Sequence, residues 1–244
     1  MVATRLQTAL SLVYPARCLG CGTMVNDDFG LCGTCWRDTP FIGGAICDAG
    51  GGPLPGQTGV DAAHCDDCLR TPPPWDQGRA ALAYRDRARS LVLGLKHADR
   101  QEVVVPASGW MARAVRDIVV PEMLVAPVPL HWTRMLSRRY NQSALLASAM
   151  AKRLGLSYCP DLLIRTRRTR SLDKLDGAQR RVILDGALRL NPARAHRVSA
   201  GRPVLLVDDV MTSGATMAEA TRAVRASGAG RVCAVTLARV TKAT

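Results

Sequence analysis

The sequence contains no apolar run near the roughly 18 residues that a membrane-crossing helix needs. Membrane insertion is therefore not expected. The opening segment, MVATRLQTALSLVYPARC, has a short apolar stretch but no small-residue cleavage pattern. It reads as a short helix stopped before Pro15 rather than a signal peptide. A cytoplasmic location is the default expectation. Only four histidines are present, and they are scattered. No Ser/His/Asp or Cys/His set emerges from them, so nucleophilic triad chemistry is not indicated. No G-K-[ST] occurs, which disfavours a Walker nucleotide loop.

Cysteine, by contrast, is plentiful. Seven of the nine cysteines fall between Cys18 and Cys68. In a chain without an export signal such spacing points to metal rather than disulfides. Cys18-x2-Cys21-x10-Cys32-x2-Cys35 has the spacing of a zinc ribbon, two knuckles closing around one tetrahedral Zn²⁺. About 10–16 kcal/mol of apparent metal-binding energy can order a segment too poor in apolar residues to fold alone. Cys47, Cys65 and Cys68 form a second, three-thiol group. Its fourth ligand is open: His64, Asp48 or water. Cys159 and Cys233 are expected to be buried and inert.

The net charge of +13 is unevenly distributed. Residues 131–202 carry 16 basic and 4 acidic groups, a local +12, while residues 1–79 sum to −3. That segment is a candidate attractor of polyanions, or an arginine-rich solvated face. Within it, IRTRRTRSLDKLDGAQRR (164–181) opposes its arginines with only Asp173 and Asp176. Arg165, Arg167, Arg168 and Arg170 are the nucleic-acid candidates. The stretch has no aromatic residue on which a base could stack, so only backbone tracking is indicated, with salt-dependent affinity.

At 244 residues and 48% apolar content, the chain is long enough for one large domain and a small appendage. Residues 1–75, rich in Cys, Gly, Pro and Asp, form the N-terminal part. RTPPPW (70–75) reads as a stiff linker. From 76 to 244, strand and helix patterns alternate. Strands are expected at 80–84, 123–130, 161–165, 203–209 and 231–240. Helices are expected at 88–97, 103–119, 141–155 and 216–230. Such alternation implies a mostly parallel α/β sheet with helices on both faces.

One stretch carries the chemistry: VLLVDDVMTSGATM (204–217). A buried strand runs into Asp208 and Asp209 at the edge where open α/β sheets bind ligands. Two adjacent carboxylates there need partners, such as sugar hydroxyls or a divalent cation. The turn behind them, Thr212-Ser213-Gly214-Ala215-Thr216, opens a helix whose free amides suit a phosphate. Acceptors followed closely by donors match a ribose 5-phosphate.

This stretch resembles the phosphoribosyl-pyrophosphate signature of type I phosphoribosyltransferases. Together with the cysteine segment, LGLKH (93–97) and APVPLHWTRMLSRRYNQSALLA (126–147), the order of motifs resembles the ComF family over nearly the whole chain. That resemblance implies a zinc-ribbon segment joined to a type I phosphoribosyltransferase-like domain. It also implies a link to natural competence, the uptake of single-stranded DNA. Asp208 and Asp209 would hold the ribose with Mg²⁺ nearby. Val210, Met211 and Thr212 to Thr216 would cradle the 5-phosphate. Pro129, Leu130 and His131 would begin the pyrophosphate loop, and Lys96 and Arg139 would supply positive charge. Arg138-Arg139-Tyr140-Asn141-Gln142 stands where the family has RGFNQ, with Arg139 in place of glycine. His97 and His131 flank the site as ordinary polar contacts. The expected activity is a glycosyltransferase (pentosyl-transferring) acting on phosphoribosyl pyrophosphate, with an unknown acceptor. Two alternatives stand beside it: a non-catalytic single-strand-handling competence factor, and a base-salvage transferase. A competence helicase or another DNA-uptake protein is the partner class implied.

Overall fold

The computed structural model describes residues 15–26, 28, 30–56, 63–97, 100–130, 140–166 and 177–241. Its centre is a five-stranded sheet: β1 (Gln77–Ala83), β2 (Leu124–Pro127), β3 (Ser157–Tyr158), β6 (Val204–Met211) and β7 (Val232–Arg239). The strand order is β1-β7-β6-β2-β3, and every pairing is parallel. A separate antiparallel pair joins β4 (Leu163–Arg165) to β5 (Leu188–Leu190). The sheet is parallel throughout, as the alternation of strand and helix patterns implies, and the cysteine-rich segment precedes it.

The two faces of the sheet are separated by side-chain alternation. Along β6, Val204 and Leu206 enter one core, while Leu205 and Val207 enter the other. β2 alternates in the same way, with Leu124 and Ala126 opposite Val125. Helices α3 (Asp86–His97), α4 (Val104–Ala114) and α5 (Gln142–Leu154) cover the first face with Leu91, Leu95, Met111, Leu146 and Met150. Helix α7 (Ala215–Arg225) covers the second with Met217, Ala220 and Val224. Burial on both faces is why these strands are nearly continuous apolar runs. Among the described residues no helix is long and apolar enough to cross a membrane.

Local chemistry sets the helix ends. The Asn141 side chain accepts from the Ser143 amide and starts α5, and Gly155, at φ 67°, ends it. The apolar pattern at 103–119 suggests one long helix, yet α4 stops at Ala114. Val115 and Ile118 stay fully buried in the turn that follows, so the apolar spacing serves the core without continuing the helix.

The N-terminal segment has two short helices, α1 (Gly33–Arg37) and α2 (Asp66–Arg70). It is tied to the sheet by specific contacts. Arg79 of β1, with a side chain 5% exposed, bonds the Asp48 carboxylate at 2.8 Å and the Asp117 carboxylate at 2.5 Å. Phe41 bridges to Leu82, and Gly51 to Arg79. The stretch read as a linker ends in buried Trp75, whose indole N–H donates to the Ala49 carbonyl at 2.7 Å. A buried indole needs such an acceptor, and here the acceptor belongs to the second cysteine turn.

Candidate functional site

β2 and β6 are neighbours, but their connections diverge. β2 leads through α5 to β3 at one edge, and β6 leads through α7 to β7 toward the other. The crevice between the carboxyl ends of β2 and β6 is a topological switch point, where open α/β sheets place their ligands.

Asp208 and Asp209 lie on β6 at this crevice. The Ser143 hydroxyl, in the first turn of α5, donates to Asp208 Oδ1 at 2.8 Å, and the Asp209 amide donates to the same oxygen at 2.9 Å. Lys96, at the end of α3, places Nζ 3.3 Å from Asp209 Oδ2. Three elements thus converge on the two carboxylates. Burial, and then the Asp209 charge beside it, pushes the Asp208 carboxyl up to about 7, against the pull of Ser143, the Asp209 amide and Lys96. The pair holds excess negative charge that a cation or hydroxyl donors would relieve.

Immediately beyond, Asp208, Val210, Met211, Thr212, Ser213, Gly214, Ala215, Thr216 and Met217 line one small cleft. Thr212 and Ser213 are exposed. Gly214 caps α7 at φ 77°. A Cβ there would stand 3.0 Å from Trp75 Cη2, so both the backbone angle and the indole call for glycine. The amides of the first helical turn lack intrahelical acceptors and form the positive end of the helix dipole, an arrangement suited to an anion. Helix α6 (Gly177–Leu184), which follows the arginine-rich stretch, packs Leu184 with Ala187 against Ala215, beside this turn.

Pro129 and Leu130 follow β2 and are half-buried at the same edge. The Asn141 side-chain Nδ2 donates to the Val128 carbonyl at 3.3 Å, tying the end of β2 to the start of α5. His97 ends α3. Arg165 ends β4 and is partly buried. His131, Arg138, Arg139, Arg167, Arg168 and Arg170 lie outside the described residues. No sequence motif marks Ser143 or Trp75 as part of the site. The only cue to Ser143 was its place directly after the Asn-Gln pair, at a helix start facing the aspartates.

The ribbon cysteines also converge. The sulfurs of Cys18, Cys21, Cys32 and Cys35 lie within 4.8 Å of one another. Cys21 and Cys32 are 3.7 Å apart, close to the ~3.8 Å sulfur–sulfur edge of a tetrahedral Zn–thiolate site. Backbone amides support the cluster: Gly20 and Cys32 donate to Cys18 Sγ at 3.3 and 3.2 Å. Burial pushes the Cys18 thiol up, but the amides of Cys32, Cys21 and Gly20 outweigh it and bring it to about 6. Burial and its sulfur neighbours push Cys35 up to about 12. Four thiolates cannot coexist there without a cation, and a soft tetrahedral d¹⁰ ion fits the donor set. Cys47, Cys65 and Cys68 form a second group within 4.8 Å, also braced by amides, from Gly50 and Cys65 to Cys47 Sγ at 3.1 and 3.3 Å. Cys159 and Cys233 are buried, and burial raises both thiols, as an inert role requires.

Fold and site together define a protein of the phosphoribosyltransferase-like class that carries a cysteine-rich ribbon at its N-terminal side. The double zinc ribbon domain family matches residues 9–69, and the phosphoribosyl transferase domain family matches residues 141–244. The DNA utilization protein YhgH of Escherichia coli O157:H7 is 30% identical over 233 residues, 91% of this chain and 96% of that protein. Competence protein F of Haemophilus influenzae is 28% identical over 234 residues, again 91% and 96%. The glutamine phosphoribosylpyrophosphate amidotransferase of B. subtilis superposes with a TM-score of 0.40 at 19% identity, over 59% of this chain and 30% of that one. An overlap that small adds nothing to the topology read directly from the strands. The chain belongs to the ComF family. The ribbon match and the two thiol clusters support structural zinc.

Proposed function

We propose that this protein binds phosphoribosyl pyrophosphate with Mg²⁺ at the β2–β6 crevice. The observation that carries the reading is the Asp208–Asp209 pair, held by Ser143 and Lys96 directly before the Gly214 helix start. The aspartates accept from the ribose hydroxyls. The amides and hydroxyls of residues 212–216 take the 5-phosphate. Pro129, Leu130 and His131 would meet the pyrophosphate, and Lys96 and Arg139 would add positive charge. Mg²⁺ would neutralise the pyrophosphate. Where an acceptor is present, the C1–O bond to pyrophosphate breaks, its electrons leave with the pyrophosphate, and the acceptor attacks the oxocarbenium-like ribose. Lys96 and the arginines would then stabilise charge on the departing group. This reading makes residues 1–75 a zinc-ordered part and residues 76–244 the ligand-binding part, acting in the cytoplasm.

Calorimetry with phosphoribosyl pyrophosphate, with and without Mg²⁺, tests it. Wild type should bind in a Mg²⁺-dependent way. The Asp208→Asn/Asp209→Asn double variant should lose about 100-fold, two charge-assisted hydrogen bonds' worth, with unchanged zinc content. Equal affinity in the double variant would remove the site.

A second reading has its own support. Relatives carry the names DNA utilization protein and Competence protein F, and residues 131–202 hold a local +12. In that reading the basic segment tracks single-stranded DNA, and a DNA-uptake protein docks on the ribbon. Replacing Arg165, Arg167, Arg168 and Arg170 should weaken single-strand affinity and flatten its salt dependence. Retention of both would eliminate the DNA track.

A further inference from the structure

The second cysteine group has an open corner. A Cβ on Gly50 would stand 3.0 Å from Cys68 Sγ and 3.2 Å from Cys47 Sγ, so residue 50 occupies the fourth vertex of the cluster. Gly51, the next residue, needs its lack of a side chain: it adopts φ 67°, and a Cβ there would stand 2.8 Å from the Arg79 backbone. The backbone of Gly50 lies outside the left-handed region, so its angle does not call for glycine, and what a side chain there would meet is the two sulfurs. Among the described residues no replacement ligand joins the three sulfurs. His64 is exposed and is not part of the sulfur group. The Asp48 carboxylate is taken by Gln77 and Arg79.

What reaches the corner is a cation. Arg239, at the end of β7, brings Nη2 to 3.5 Å from the Gly50 Cβ position. Its Nη1 is buried and has no acceptor among the described residues. A guanidinium cannot ligate a metal. It can neutralise the −1 charge of a Zn²⁺ bound by three thiolates, and it can donate to an anion on the fourth coordination position. Three protein ligands with one open position is the arrangement of exchangeable zinc sites, whereas structural ribbons close with four.

We propose that Cys47, Cys65 and Cys68 hold a zinc ion whose fourth ligand is a small external anion, an oxygen or halide donor, hydrogen-bonded to Arg239. The site differs in kind from the closed four-thiolate cluster at Cys18, Cys21, Cys32 and Cys35.

Cobalt substitution of the full chain tests this, with azide as the anion probe and native mass spectrometry counting metals. Wild type should bind two Co²⁺, and azide should saturably shift the visible bands of one of them. Gly50→Cys should still bind two, gain thiolate-to-cobalt charge-transfer intensity and ignore azide. Arg239→Gln should keep both metals but bind azide about tenfold more weakly, having lost a charge-assisted hydrogen bond. If Gly50→Cys fails to fold, wild type and Arg239→Gln still decide. Two Co²⁺ with no azide response in wild type would overturn the proposal. So would a single Co²⁺ with the Cys47, Cys65 and Cys68 thiols open to alkylation.

Discussion

Replacing Asp208 with asparagine removes one of two adjacent charges while keeping the shape of the side chain. Both hydrogen bonds it accepts, from Ser143 and from the Asp209 amide, fall on Oδ1, which asparagine retains. The carboxyl titrates near 7 in the fold and near ~3.9 in an unfolded chain. Between those values the folded state holds more protons than the unfolded state, so stability falls as pH rises from about 4 to about 7. At ~1.36 kcal/mol per pH unit, ionised Asp208 costs the fold at most roughly 4 kcal/mol above pH 7. Partial exposure to solvent and relaxation of the Lys96 chain reduce that, and about 2 kcal/mol is the expected gain for Asp208→Asn at pH 8. For a chain of this size the gain corresponds to a rise in melting temperature of roughly 4–8 °C. At pH 4 the folded state is neutral at this position in both versions, and the two should melt close together. Thermal melts at the two pH values, on zinc-loaded protein, measure the difference. An equal shift at both pH values, or a loss of stability at pH 8, would refute the electrostatic picture of the site. The same variant should bind phosphoribosyl pyrophosphate worse while being more stable, as expected where a fold holds unfavourable charge for a ligand.

Ser143→Ala should leave the Asp208 carboxylate short of a donor. It should destabilise the protein by about 1.5–3 kcal/mol at pH 8 and by less at pH 4, read by the same melts. Gly214→Ala should cost at least ~1–2 kcal/mol, because alanine resists φ 77° and its methyl meets Trp75, and phosphate-ligand affinity should fall with it. Arg79→Met strips the counter-charge from Asp48 and Asp117, with a loss of roughly 3–5 kcal/mol expected in denaturant unfolding. Cys18→Ser should reduce the zinc released by an organomercurial by one equivalent per chain, measured with a chromophoric chelator.

How far these features were legible depends on how local their causes are. The Asn141 cap, the Gly155 stop and the alternation along β6 are written in neighbouring residues, and the elements they define appear where the pattern put them. The four ribbon thiols close as their spacing implied, since two C-x-x-C turns have few ways to meet. Features built by distant residues were not legible. β3 has two residues, and β5 became a strand only by pairing with β4, so neither has enough sequence to announce itself. Trp75 reads as the end of a proline linker, yet its indole spans from Ala49 in the second cysteine turn to Gly214 at the start of α7. Arg239 and Gly50 meet across nearly the whole chain, and no periodicity could pair them.

The most direct measurement is a crystal structure of the protein soaked with Mg²⁺ and phosphoribosyl pyrophosphate. The 5-phosphate should sit on the amides of residues 212–216, and the ribose hydroxyls should lie within hydrogen-bonding distance of Asp208 and Asp209. Density for the ligand elsewhere, with the two carboxylates still closed on Ser143 and Lys96, would contradict the assignment.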